Sequence, residues 1–147
     1  MACNEVGPVS VMNTEGNPAG HIILRGGKTC NYDSVNIAVT EQKLAEQNMP
    51  QSLMVDCSHG NSQKDFTRQP LVANDVMNQI QEGNRSIIGI MLESHLNEGN
   101  QPSTLAPGDM QYGVSITDAC INWQTTETLL RNLAAKLGQP LKQRIAQ

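Results

Sequence analysis

The sequence predicts an α/β fold in which short parallel strands alternate with helices. Three apolar runs, at 21–24, 52–55 and 86–92, are short and nearly continuous, as in strands that are buried on both faces. In addition, 34 residues separate Arg25 from His59 and His59 from Glu93. That interval is about the length of one strand, one helix and their two loops. Successive βα units would therefore present these side chains at the same end of one sheet.

Three amphipathic segments predict the helices of these units. The first two are expected at 33–47 and 71–81, where apolar residues recur at intervals of three and four. The third is expected at 125–137, with Gly138 and Pro140 ending it. Amphipathic helices of this kind normally pack one face against a sheet.

Composition and charge exclude several classes of protein. The net charge of −4 and the scattered Lys and Arg residues argue against a nucleic-acid-binding protein. No apolar stretch approaches the ~20 residues of a membrane span, and the first residues do not resemble a signal peptide. The four cysteines, Cys3, Cys30, Cys57 and Cys120, lack zinc-like spacing and are expected to be reduced thiols. A cytoplasmic location without membrane or nucleic-acid partners is therefore expected.

The residues after the strands carry recognisable chemistry. Arg25 precedes two glycines, and a guanidinium in such a loop can bind a phosphate while the backbone approaches closely. Taken alone, this short pattern is weak, and a surface loop is the better interpretation. His59 and Glu93 add an imidazole and a carboxylate at the same end of the sheet. Cys57 lies two residues before His59 and is an alternative metal ligand, although a buried thiol is the commoner role.

Four longer motifs occur in series along the chain. They read HIILRGGK at 21–28, DCSHGNS at 56–62, ESHLNEGNQ at 93–101 and YGVSITDACINW at 112–123. Over roughly residues 9–137 the sequence resembles the carboxy-terminal part of type I 3-deoxy-D-arabino-heptulosonate 7-phosphate synthase, also called phospho-2-dehydro-3-deoxyheptonate aldolase. The resemblance implies a (β/α)8 barrel that condenses phosphoenolpyruvate with erythrose 4-phosphate, the first step of the shikimate pathway to aromatic amino acids.

The chain is too short for a complete barrel, because such a barrel needs about 250 residues and this chain has 147. The expected architecture is a partial barrel domain over 1–147 that carries about strands six to eight with their helices. Within it, residues 1–20 are expected to be the remnant of a β-hairpin, 21–137 three βα units and 138–147 a tail. The first five strands are expected to be missing.

The resemblance also assigns roles to particular residues. It implies that His59, Glu93 and Asp118 are both the metal ligands and the catalytic residues, and that Arg25 binds phosphoenolpyruvate. One imidazole and two carboxylates suit Mn²⁺, Fe²⁺, Co²⁺ or Zn²⁺. The family's fourth ligand is a cysteine after the first barrel strand, and its other phosphoenolpyruvate ligands also lie upstream of the matched region.

Two functional interpretations remain open on the sequence. In the first, the chain belongs to a synthase that is a homo-oligomer at full length, and its activity needs the missing upstream half. In the second, it is a non-catalytic truncated fragment that retains part of the metal and substrate site. A different metal-dependent aldolase on the same barrel is a distant third, since fold alone does not determine function. The isolated chain is expected to be marginally stable or to self-associate.

Overall fold

The computed structural model describes residues 2–3, 9–11 and 13–145. The strands are β1 (Ala2–Cys3), β2 (Val9–Ser10), β3 (Ile22–Leu24), β4 (Leu53–Asp56) and β5 (Ile87–Met91). The helices are α1 (Ser34–Glu46), α2 (Gln69–Gln81) and α3 (Trp123–Ile145), and a 3-10 turn at Phe66–Arg68 precedes α2. None of the helices in this described part is long and apolar enough to cross a membrane.

The main sheet is parallel, as the apolar runs predicted. Its strand order is β3-β4-β5, with Leu24 opposite Val55 and Val55 opposite Ile90. The central strand β4 is the most protected, since Leu53 and Val55 have no exposed surface. Because all three strands run the same way, the loops that follow them leave from one edge of the sheet.

The predicted amino-terminal hairpin lies partly outside the described residues. Strands β1 and β2 pair antiparallel, with Ala2 opposite Ser10 and Cys3 opposite Val9. Residues 4–8 and 12, which the hairpin prediction includes, belong to the part that the structure does not describe.

Helices α1 and α2 lie within two residues of their predicted positions. Helix α1 begins where predicted because the Asp33 carboxylate accepts the backbone N–H groups of Val35 and Asn36, both at 3.1 Å. A hydrogen bond from the Asn36 side chain lowers the pKa of Asp33, as expected for a capping carboxylate. Helix α2 starts two residues before the predicted 71, and Pro70 occupies its first turn, where a missing N–H costs nothing.

The predicted end of α3 at Leu137 is wrong. The helix continues through Gly138 and Pro140 to Ile145, although an interior proline ordinarily costs about 3 kcal/mol. Its last turns are held by Arg144, whose Nη1 donates to the carbonyl of Ile87 at 2.8 Å and whose Nη2 donates to the carbonyl of Asn84. Burial, followed by the charge of Arg85, lowers the pKa of Arg144. Contacts with the start of β5 thus override the local stop signals.

The hydrophobic core lies between the sheet and the helices. It is one cluster that joins Leu53 and Val55 to the inward faces of all three helices, through residues such as Ile37, Val76 and Leu133. The opposite face of the sheet is more open. Leu24 points into the core, whereas Ile23, the residue before it, points to the other face and is 51% exposed. Helices therefore cover one face of this sheet, as in the outer layer of a βα barrel.

Candidate metal centre

Three side chains from different loops meet beyond the carboxyl ends of β4 and β5. Nε2 of His59 lies 3.4 Å from Oε1 of Glu93 and 3.7 Å from Oδ2 of Asp118. One potential ligand atom from each residue lies within 4.8 Å of the other two. The cavity between them has a volume of about 30 Å³, which is enough for one ion or water molecule. One imidazole and two close carboxylates form a donor set that suits a divalent transition metal.

The orientation of His59 is determined by the end of β4. Its Nδ1 lies 2.7 Å from Oδ2 of Asp56, and the other oxygen of that carboxylate accepts the backbone N–H of Ser58 at 2.8 Å. Asp56 is buried. A proton on Nδ1, assigned from this hydrogen bond, leaves the lone pair of Nε2 directed at the cavity. Metal-binding histidines commonly have such a carboxylate partner.

Glu93 is held through both its side chain and its backbone. The hydroxyl of Ser58 donates to Oε2 of Glu93 at 2.8 Å. The buried amide of Gln69, at the start of α2, donates to the carbonyl of Glu93 at 3.0 Å and accepts its N–H at 2.8 Å. The second carboxylate oxygen, Oε1, remains directed at His59. Helix α2 thereby positions a residue of the next βα unit.

The long loop after β5 folds back and brings Asp118 to the site. The N–H of Ile121 donates to the carbonyl of Glu93, and the N–H of His95 donates to the carbonyl of Ile121, both at 3.0 Å. These bonds form a short parallel bridge between Ser94 and Ile121. Asp118 is 65% exposed, so it lies on the solvent side of the cavity, whereas the other two ligand candidates are mostly buried.

Arg25 leaves the carboxyl end of β3, and its backbone touches the loop that carries His59. The carbonyl of Arg25 accepts the N–H of Gly60 at 3.0 Å. A Cβ on Gly26 would lie 2.6 Å from the carbonyl carbon of Gly60, so the two loops approach as closely as glycine allows. The Arg25 side chain is exposed and does not belong to the group of three ligand candidates.

The chain is similar in sequence to proteins of a known family. The DAHP synthetase I family matches residues 2–131. The chain belongs to this family. It is 54% identical over 144 residues to the Tyr-sensitive phospho-2-dehydro-3-deoxyheptonate aldolase of Enterobacter agglomerans, covering 98% of this chain and 68% of that protein. It is 52% identical over 143 residues to the Tyr-sensitive enzyme of Escherichia coli K12, covering 97% of this chain and 40% of that protein.

A solved phospho-2-dehydro-3-deoxyheptonate aldolase has the same fold over the aligned part. The phospho-2-dehydro-3-deoxyheptonate aldolase of Francisella tularensis superposes with a TM-score of 0.85 at 36% identity, over 93% of this chain and 40% of that one. This confirms the predicted fold class, the carboxy-terminal part of an α/β barrel. The chain thus spans about two fifths of the length of the Escherichia coli and Francisella relatives.

The structure brings together three of the four residues that the family resemblance singled out. Sequence reasoning missed Ser58 and Gln69, which hold Glu93, because each makes its contact with a distant part of the chain. Asp56 was recognisable as a carboxylate three residues before His59. Burial, with the charge of Asp56 second, raises the pKa of the Cys57 thiol to about 12. This thiol lies in the core and is not one of the three grouped residues.

Proposed function

We propose that the chain is the carboxy-terminal portion of a 3-deoxy-7-phosphoheptulonate synthase. That enzyme condenses phosphoenolpyruvate with erythrose 4-phosphate to give 3-deoxy-D-arabino-heptulosonate 7-phosphate and phosphate. The observation that carries the proposal is the convergence of His59, Glu93 and Asp118 in a chain of the DAHP synthetase I family. Residues 1–147 would form one partial domain, in which the last helix takes up most of the expected tail at 138–147, completed by upstream barrel strands and assembled into a homo-oligomer.

His59, Glu93 and Asp118 would hold the divalent metal, with Mn²⁺, Fe²⁺, Co²⁺ and Zn²⁺ all compatible with their donor atoms. When bound, the metal supplies Lewis-acid polarisation of the aldehyde carbonyl. Asp56 supports this role because it keeps the proton on Nδ1 of His59 and so leaves Nε2 free to bind. Ser58 supports it by restricting the Glu93 carboxylate to one orientation.

Arg25 would bind the phosphate of phosphoenolpyruvate. Its guanidinium is exposed at the same edge of the sheet as the metal candidates, and its fork of N–H groups matches phosphate oxygens. The close contact of Gly26 with Gly60 fixes the spacing between the loops that carry the arginine and His59. Substrate and metal would therefore be positioned by adjacent loops of the parallel sheet.

The test is release of phosphate from phosphoenolpyruvate that depends on both erythrose 4-phosphate and Mn²⁺. The chain is assayed alone and together with the amino-terminal portion of the Escherichia coli Tyr-sensitive relative, expressed separately. We expect turnover only with both portions. We further expect Glu93→Gln to abolish it and Glu82→Gln, an exposed control at the end of α2, to leave it unchanged.

Other results would contradict the proposal in distinct ways. Turnover by the chain alone would mean that the upstream ligands are unnecessary. A stable, Mn²⁺-loaded complex of both portions without turnover would favour a non-catalytic fragment. Equal activity of the Glu93→Gln and wild-type complexes would exclude Glu93 as a ligand on which the reaction depends.

A further inference from the structure

One cationic side chain lines the cavity of the metal candidates and was not singled out by the sequence. The cavity wall comprises Lys64 together with Ser58, His59, Glu93, Asp118 and Ala119. The wall therefore includes two carboxylates, those of Glu93 and Asp118, and one ammonium group, that of Lys64. Lys64 is exposed, as is Asp118 on the solvent side of the cavity. The lysine thus lies where a ligand would enter from solvent.

The backbone that presents Lys64 has an unusual conformation. The backbone φ angles of His59, Gln63 and Lys64 are +46°, +56° and +62°. They lie in the left-handed region, which residues other than glycine seldom adopt. The turn is closed by the N–H of Lys64, which donates to the carbonyl of His59 at 2.8 Å. Such strain persists only where the surroundings enforce it and is concentrated at functional sites. The same turn therefore fixes both the imidazole and the lysine.

The ammonium group of Lys64 is available to an external partner. Among the described residues, no carboxylate oxygen pairs with it within 4.0 Å, whereas Arg131 has such a partner in Glu127. A divalent ion would be neutralised by Glu93 and Asp118, and the third carboxylate, Asp56, is buried behind His59, so that the ammonium of Lys64 would be left as the unpaired charge on the solvent side of the cavity. This balance favours an anion at the mouth of the site.

We propose that Lys64 binds the phosphoryl group of a substrate or product at the mouth of the metal cavity. The inference rests on the proposed function, in which phosphoenolpyruvate is consumed and inorganic phosphate is released. The ammonium would donate charge-assisted hydrogen bonds to phosphoryl oxygens. Lys64 would thus be a second cationic contact for phosphate, on the loop after β4, whereas Arg25 lies on the loop after β3.

The test separates metal binding from anion binding on the 147-residue chain. Calorimetry first measures Mn²⁺ affinity alone, and then the affinity of the Mn²⁺-loaded chain for inorganic phosphate and, separately, for phosphoenolpyruvate. The variants are Lys64→Met, Lys64→Arg and, as a matched control, Lys43→Met at an exposed position of α1. Circular dichroism melting shows whether each variant is folded.

We expect Lys64→Met to weaken phosphate binding about tenfold or more, the effect of losing a charge-assisted hydrogen bond. Mn²⁺ affinity should be unchanged or higher, because a positive charge is removed. Lys64→Arg should retain most phosphate affinity, and Lys43→Met all of it. Weakening of phosphate but not of phosphoenolpyruvate binding would identify the product as the ligand, and the reverse would identify the substrate.

Two results would overturn the inference. If wild type binds Mn²⁺ but neither anion, or if Lys64→Met binds both anions as wild type does, Lys64 is not a phosphoryl-binding residue and the proposed metal centre stands. If wild type binds Mn²⁺ only when the separately expressed amino-terminal portion is present, the anion titrations are made on that complex. If it binds no Mn²⁺ there either, the metal centre of the proposed function fails, and the inference about Lys64 fails with it.

Discussion

At the scale of single residues, one buried carboxylate determines how His59 can be used. Asp56 has two oxygens with different partners: one faces Nδ1 of His59 at 2.7 Å, and the other accepts the N–H of Ser58 at 2.8 Å. Asp56 is 1% exposed, so water cannot replace either partner. The carboxylate therefore links the ring orientation directly to the end of β4.

Asp56→Asn should weaken metal binding while leaving the fold intact. An amide has one acceptor oxygen and one donor nitrogen, so it cannot accept both N–H groups: either Ser58 loses its hydrogen bond, or the amide N–H donates to Nδ1 of His59 and the ring proton moves to Nε2, where it blocks the metal. We expect Mn²⁺ or Zn²⁺ affinity to fall by about 10- to 100-fold, as is usual when the partner of a metal-binding histidine is removed. Calorimetric titration checks this, with the exposed loop variant Asp109→Asn as control. Equal affinities of the two variants would show that Asp56 does not orient the ring.

At the scale of elements, the loops after β3 and β4 meet at a contact between two glycines. A Cβ on Gly60 would lie 2.7 Å from the backbone nitrogen of Gly27 and 2.8 Å from the carbonyl carbon of Gly26. These neighbours are backbone atoms and cannot rotate away. The position of His59, directly before Gly60, depends on this close approach.

Gly60→Ala should therefore destabilise the chain by about 2 kcal/mol, within the range for imposed backbone strain, and should also weaken metal binding. Gly27→Ala is the matched control, because a Cβ there has no atom within 4 Å. Urea unfolding followed by circular dichroism compares the two. Similar midpoints for Gly60→Ala and Gly27→Ala would contradict the importance of the contact.

The extension of α3 is likewise a matter of contact between elements. Arg144 donates from Nη1 and Nη2 to the carbonyls of Ile87 and Asn84, which joins the last turn of the helix to the start of β5. Arg131 on the same helix instead pairs with Glu127 one turn away, and its side chain is 77% exposed. Arg144 thus makes a tertiary contact, whereas the contact of Arg131 is local to its helix.

We expect Arg144→Met to lower the free energy of unfolding by about 1–2 kcal/mol, since charged hydrogen bonds to partly buried carbonyls are lost. Arg131→Met should change it by less than about 0.5 kcal/mol, as for exposed ion pairs within a helix. Hydrogen exchange should in addition show faster opening of residues 138–145 in Arg144→Met. Equal stability and exchange in both variants would mean that the carbonyl contacts do not hold the helix end.

At the scale of the whole molecule, the described sheet is covered by helices on one face and is open on the other. Ile23 and Ile88 are 51% and 57% exposed. In the strand order β3-β4-β5 the outer strands have one neighbour each, so their free edges can pair with another chain. This combination of apolar surface and strand edges favours association.

We predict that the isolated chain self-associates as its concentration rises, and that Ile23→Lys shifts it towards the monomer. The charge would have to be buried on association, which is costly. Sedimentation velocity over a range of concentrations measures this, with Val35→Lys at an exposed position of α1 as control. A wild-type chain that stays monomeric throughout the range would contradict the prediction.

Local patterns in the sequence predicted most of the fold. The apolar runs located β3, β4 and β5, and helical periodicity located α1 and α2 to within two residues, because both patterns record which side chains are buried along one element. The regular interval from Arg25 through His59 to Glu93 correctly placed all three after strands of one parallel sheet. Asp118 was found only through its motif, since no local pattern distinguishes it from other loop carboxylates.

The tertiary structure alone decided the features that join distant parts of the chain. The end of α3 depends on Arg144 reaching the start of β5, so Pro140 does not terminate the helix as its local preference predicts. Gln69 makes hydrogen bonds to the backbone of Glu93, and Lys64 lies beside the metal candidates. Both contacts also require separate βα units to be packed together. Sequence periodicity records the burial of each element, whereas these contacts depend on the distances between elements, which only packing determines.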